Sequence, residues 1–157
     1  MTGTAPAWDV EIRPHRVKYF VYIGATSIAA IHIAVSFLLT VGSSGVLFRV
    51  QDQIAIVGIG LILAAAVVLL GRPRLRVGPA GMSVRNVLGD RLVPWPQVRA
   101  VVFPANARWA RIELPHDEYV PLMAIQAIDN ERAVAAMDTV RDLVARYRSD
   151  PDAADAD

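Results

Sequence analysis

A chain of 157 residues and 17.0 kDa that is 54% hydrophobic and only 20% charged is too apolar for a disordered protein, and it sits poorly with a plain soluble enzyme. With no cysteine it has no disulfide, no thiolate metal site and no cysteine nucleophile. The net charge of +1 hides a split: residues 72–148 hold twelve Arg against eight acids, whereas residues 149–157 hold four Asp.

The N-terminal arm, residues 1–18, carries Asp9 and Glu11 against Arg13, Arg16 and Lys18. Then come 23 uncharged residues, Tyr19 to Val41, and after a short connection 18 more, Ile54 to Gly71. A bilayer core of about 30 Å takes roughly 20 helical residues. The first run therefore spans, and the second does so with Val50–Gln53 extending it. Residues 19–71 are predicted to form a transmembrane helical hairpin. A signal peptide fits badly, because the first apolar run is too long and the lead before it carries acids. Arg13, Arg16 and Lys18 precede the first span; Arg72, Arg74 and Arg76 follow the second; the connection holds only Arg49. Positive charge stays on the cytoplasmic side. The expected location is the plasma (inner) membrane, multi-pass, with both termini cytoplasmic. Tyr19, Phe20 and Tyr22 suit an interfacial belt.

Small residues one turn apart let helix backbones approach. Ala25 and Ala29 on the first span and Gly60 and Ala64 on the second have this spacing. Counting depth from the cytoplasmic ends pairs Ala25 with Ala64 and Ala29 with Gly60. His32 is the one ionisable residue in either run. It is read either as a proton or ligand site or as a neutral imidazole bonded to Ser36, Thr26 or a carbonyl. The second reading is preferred, since the spans offer no acid, second His or Lys to relay a proton.

After Gly71, seven prolines between Pro73 and Pro121 deny any long helix. Six strands are predicted: 74–77, 82–88, 91–95, 98–103, 108–114 and 118–123. Ala110, Ile112 and Leu114 share one face of the fifth; Trp109, Arg111 and Glu113 share the other. Val120, Leu122 and Ala124 share a face of the sixth. A last helix follows, with Asp129 as expected N-cap, Glu131 in its first turn, and an apolar stripe through Val134, Met137, Val140 or Arg141, Val144 and Tyr147. Residues 149–157 read as an acidic, disordered tail. The predicted fold class is α+β with a membrane anchor: a two-helix hairpin, then a small antiparallel β-barrel or sandwich over residues 72–148, capped by a C-terminal helix.

The stretch Gly81-Met82-Ser83-Val84-Arg85-Asn86, then Gly89, Arg91, Val93-Pro94-Trp95 and Val98, then Trp109-Ala110-Arg111, Leu114-Pro115 and Val120-Pro121-Leu122, resembles the bacterial PH-domain family typified by the mycobacterial low-molecular-weight protein antigen 6. The resemblance covers residues 71–148. It implies a pleckstrin-homology-like domain behind a two-helix anchor, and it brings no catalytic residues. In lipid-binding PH domains, basic residues on the first two strands and their loop grip phosphates. The loop expected in that place here, Val77 to Ser83, holds no Lys or Arg.

The three histidines, His15, His32 and His116, fall in the arm, a span and a hairpin turn, with no metal-ligand spacing among them. No nucleophile-elbow, P-loop or dinucleotide motif sits between a strand and a helix. Ser83 has no base nearby in the pattern, and His116-Asp117-Glu118 reads as a solvated turn. No catalytic residue, metal or cofactor is expected. Arg72, Arg74 and Arg76 are candidates for weak attraction to an anionic inner leaflet, about 1 kcal/mol each, unless they only enforce topology. Trp109 with Arg111 is a candidate protein interface, and Trp95 is expected to pack inside. The expected partners are the anionic bilayer and another membrane or cytoplasmic protein. Nucleic acid is not expected at a charge of +4 over residues 72–148. The function these readings imply is a non-enzymatic membrane-anchored binding or scaffolding module. The rival is an accessory subunit of a membrane enzyme or transport complex that uses the hairpin as its interface.

Overall fold

A computed structural model describes residues 7–41, 49–87 and 89–149. The chain forms two compact units: one joins the residues up to Arg16 with those from Arg72 onward, and the other is Val17–Gly71. Most of the expected outer loop and the acidic tail lie outside the described residues.

The second unit is built on helices α1 (Arg16–Val41) and α2 (Val50–Leu69). Both are long and apolar enough to cross a membrane. Asp52 accepts a hydrogen bond from the Arg49 N–H at 2.9 Å, an acid placed where the start of α2 is electropositive. Val21, Ala25 and Ser36 of α1 and Gly60 and Ala64 of α2 are buried, and Ala29 is half-buried. The register differs from the expected one. A Cβ at Gly60 would lie 2.4 Å from the Cβ of His32, so Gly60 faces His32, not Ala29. Gly24 faces Val67 and Gly71 faces Val21 in the same register. The displacement is three residues, nearly one turn. Counting depth from the last charge misplaces it because helix ends are set by chain direction and capping, not by where charge stops.

The other unit contains seven strands. A four-stranded antiparallel sheet runs in order β1 (Val10–Ile12), β2 (Arg74–Gly78), β3 (Gly81–Arg85) and β4 (Asp90–Val93). A three-stranded antiparallel sheet holds β5 (Ala100–Val102), β6 (Trp109–Glu113) and β7 (Tyr119–Gln126). Helix α3 (Glu131–Ser149) caps them. The six expected strands are present, mostly shorter than predicted. The seventh, β1, comes from the arm, which the sequence reading left outside the domain. Val10 pairs with Val77, Glu11 with Arg76 and Ile12 with Leu75. The helical hairpin is therefore an insertion between two paired strands. The turn at Pro79-Ala80, taken as the loop between the first two strands, joins the second and third.

Alternation sets the core. Leu75, Val77, Met82, Val84 and Val93 face inward from the first sheet, and Ala110, Ile112, Val120 and Leu122 from the second. Ala133, Met137, Val140 and Val144 close it from α3, with Tyr147 buried one turn on. Val134, expected in this stripe, is 62% exposed, because the packed positions step from 133 to 137 and leave 134 about 100° round the helix. Asp129 is buried but does not cap α3. Its carboxylate accepts the backbone N–H groups of His15 at 3.0 Å and Arg16 at 2.8 Å, holding the end of the arm.

Candidate functional site

The outward face of the four-stranded sheet follows from the same alternation. With Leu75 and Val77 inside, Arg74 and Arg76 point out of β2; with Met82 and Val84 inside, Ser83 and Arg85 point out of β3. Pairing then builds two outer rungs. One reads Glu11, Arg76, Ser83, Leu92; the other reads Arg74, Arg85, Asp90.

The three arginines expected to act together are separated. Arg76 is consumed internally, with its Nε 2.5 Å from Glu11, which also holds Arg13 at 2.5 Å. The Arg76 hydrogen bond, and after it Arg13, hold the Glu11 carboxyl below the usual carboxylate range against a smaller opposing effect of burial. Arg72 is exposed ahead of β2. Arg74 lies directly opposite Arg85, and its Nε is buried without a hydrogen-bond partner. Asp90 approaches Arg85 only to 3.8 Å. Arg85 was not among the expected site residues. Its outward rung position becomes legible only once the strand register is known.

On the three-stranded sheet, Trp109 is 37% exposed and not covered. Arg111 bonds Glu113 at 2.8 Å and lies 5.3 Å from the Tyr119 ring centre. Arg111, Glu113 and Tyr119 join Arg99, Asp117 and Glu118 around a cavity of about 260 Å³, which Trp109 does not line. The β6–β7 turn beside it centres on His116 and Asp117, with φ of 61° and 58°. Both are left-handed, where Asn-Gly would be the usual pair. An apolar groove of about 350 Å³ lies between Phe103 and the first half of α3. A further cavity of about 300 Å³ lies between the β3–β4 connection and the start of β7, bordered by Arg91 and Tyr119. Asn86 staples the sheets beside it, donating to the Pro121 carbonyl at 2.9 Å and accepting from the Met123 N–H at 3.3 Å.

The arm has a second anchor. Tyr147 donates to Asp9 at 2.5 Å and stacks on Trp95 at 4.7 Å, while the Trp95 indole N–H reaches the Gly78 and Pro79 carbonyls. Burial first, then the Asp9 bond and charge, push the Tyr147 hydroxyl up to about 12. In the hairpin, His32 Nδ1 lies 2.8 Å from the Ile28 carbonyl. A carbonyl only accepts, so Nδ1 carries the proton, and Nε2 is left with its lone pair. Among the described residues no three His, Asp or Glu side chains converge as a metal site would require.

Residues 72–143 match the family model described as a bacterial PH domain. The chain is 59% identical over 150 residues to an uncharacterized protein of Mycobacterium bovis (strain ATCC BAA-935 / AF2122/97). It has the same identity to uncharacterized proteins of Mycobacterium tuberculosis strains CDC 1551 / Oshkosh and ATCC 25618 / H37Rv. Each alignment covers 96% of this chain and 97% of the relative. No solved structure matches. Two antiparallel sheets under a C-terminal helix, the family match and relatives aligned nearly end to end agree: the chain belongs to the bacterial PH-domain family.

Proposed function

We propose that the chain is a non-enzymatic, membrane-anchored PH-like module that binds or scaffolds a partner at the cytoplasmic face of the plasma membrane. The observation that carries this reading is the place of the hairpin in the fold. β1 precedes it, β2 follows it, and the two strands pair. The chain must then return to the side it left, which requires an even number of crossings. Two helices long enough to cross satisfy that condition, and the arginines and lysine flanking them favour the cytoplasmic side. The domain then offers an arginine-bearing sheet face toward anionic lipid and, through Trp109 and Arg111, a surface toward another protein.

The test compares the full chain with one in which a short Gly/Ser linker replaces residues 17–71. The full chain is expected to stay with membranes through an alkaline carbonate wash. The excised chain is expected to fold cooperatively in the soluble fraction, because β1 is retained. Release of the full chain by carbonate, or membrane retention of the excised chain, contradicts the reading.

A second reading, an accessory subunit of a membrane enzyme or transport complex, draws support from Gly60. The glycine makes room for a histidine where any apolar side chain would do for packing alone, and the His32 lone pair is then open to a donor on a neighbouring helix.

A further inference from the structure

The outward rung of Arg74 and Arg85 is an unusual use of two charges. Like charges directly across a sheet repel. Elsewhere on the same face the chain answers each arginine: Glu11 holds Arg13 and Arg76. Asp90, on the next strand, gives Arg85 a long contact of 3.8 Å. No ion pair reaches Arg74 among the described residues, and its buried Nε–H has no acceptor. A buried donor left unanswered is costly, and the chain places no acid on β1 to answer it, although it does so one rung away at Glu11.

We propose that Arg74 and Arg85 together hold a phosphate-class oxyanion on the outer face of the four-stranded sheet. Guanidinium groups match tetrahedral oxyanions through paired N–H donors. An acceptor reaching the Arg74 fork gains a donor already out of water, so little hydration is lost in forming the bond. The same anion relieves the repulsion between Arg74 and Arg85. Arg76 takes no part, because Glu11 already occupies it. The inference refines the reading above, replacing a diffuse attraction of Arg72, Arg74 and Arg76 with a site of two residues. It rests on that reading only for the source of the anion. Leu70 to Pro73 alone separate α2 from Arg74, which favours a phospholipid headgroup over a soluble phosphate.

The full chain is placed in nanodiscs, and its arginine Nε–H resonances are followed by NMR. One arm uses phosphatidylcholine discs titrated with inorganic phosphate. The other uses phosphatidylcholine discs carrying increasing phosphatidylglycerol and no free phosphate. The Arg74 resonance is expected to move to saturation with phosphatidylglycerol while that of Arg76 stays in place. Arg74→Gln and Arg85→Gln should each weaken lipid binding about ten- to a hundredfold. Arg76→Gln should leave it unchanged. Saturation by inorganic phosphate alone keeps the site and assigns it a soluble ligand. An Arg74 resonance unmoved by either probe, or an Arg76→Gln variant as impaired as Arg74→Gln, overturns the proposal. A chain that does not insert into discs overturns the membrane reading instead, and the phosphate titration in buffer still decides the site.

Discussion

Two side chains show how the N-terminal arm is held in the domain. Tyr147 and Asp129 sit at either end of α3 and its preceding turn, and each bonds the arm: one through the Asp9 carboxylate, the other through the N–H groups of His15 and Arg16. Tyr147 has the measurable signature. Its neutral form is favoured in the folded state, so its contribution to stability is complete below the ordinary tyrosine value near 10. That contribution is lost as pH rises toward about 12. Tyr147→Phe should destabilise the domain by about 1.5–3 kcal/mol at neutral pH, the range for a hydrogen bond to a charged group. It should also flatten the alkaline limb of a melting-temperature profile between pH 10 and 12. A variant with the parent's alkaline limb would mean that the Asp9 bond does not couple the arm to folding. These roles were only half legible in the sequence. Asp129 was recognised as a capping residue from its type and position, but the groups it caps lie more than a hundred positions away, and only the tertiary fold selects them.

At the scale of elements, periodicity was sufficient wherever a segment had a buried face to advertise. The inward faces of β6 and β7 and the body of α3 follow directly from spacing. β1 has only three residues and places one acid between two aliphatics, so it carries no periodic signal above its surroundings. It becomes a strand because β2 offers Leu75 and Val77 as neighbours. The α1–α2 register was missed for a related reason: small residues mark a seam but not the level at which its two sides meet. The His32–Gly60 contact now fixes that level and makes a prediction. Gly60→Ala puts a methyl group 2.4 Å from the His32 Cβ and should lower the melting temperature of the full chain in detergent. Leu61→Ala, at an exposed position, should change it little. Equal effects would refute the close approach.

For the whole molecule, the consequence of β1 is that the cytoplasmic domain and the hairpin are not consecutive. One sheet requires strands from both sides of the insertion, so the fold of the domain constrains the path of the chain through the membrane. The split of charge in the sequence and the two uncharged runs pointed to the hairpin. The resemblance pointed to the domain. Neither joined them, because strand pairing across an insertion leaves no trace in local composition. The weakly basic face at Arg74 and Arg85, the pocket beside Arg111 and the exposed Trp109 give the module surfaces to use once it is held at the bilayer.

That joint constraint is also the most direct thing to test. Single cysteines are introduced into the cysteine-free chain at Thr4, Ser44 and Ala153, and intact cells are treated with a membrane-impermeant thiol reagent. Paired β1 and β2 with two crossings require that Ser44→Cys is labelled in intact cells, whereas Thr4→Cys and Ala153→Cys are labelled only after permeabilisation. Labelling of Thr4→Cys and Ala153→Cys from opposite sides would separate β1 from β2 and contradict the fold. Protection of all three positions in intact cells would mean that the hairpin does not cross.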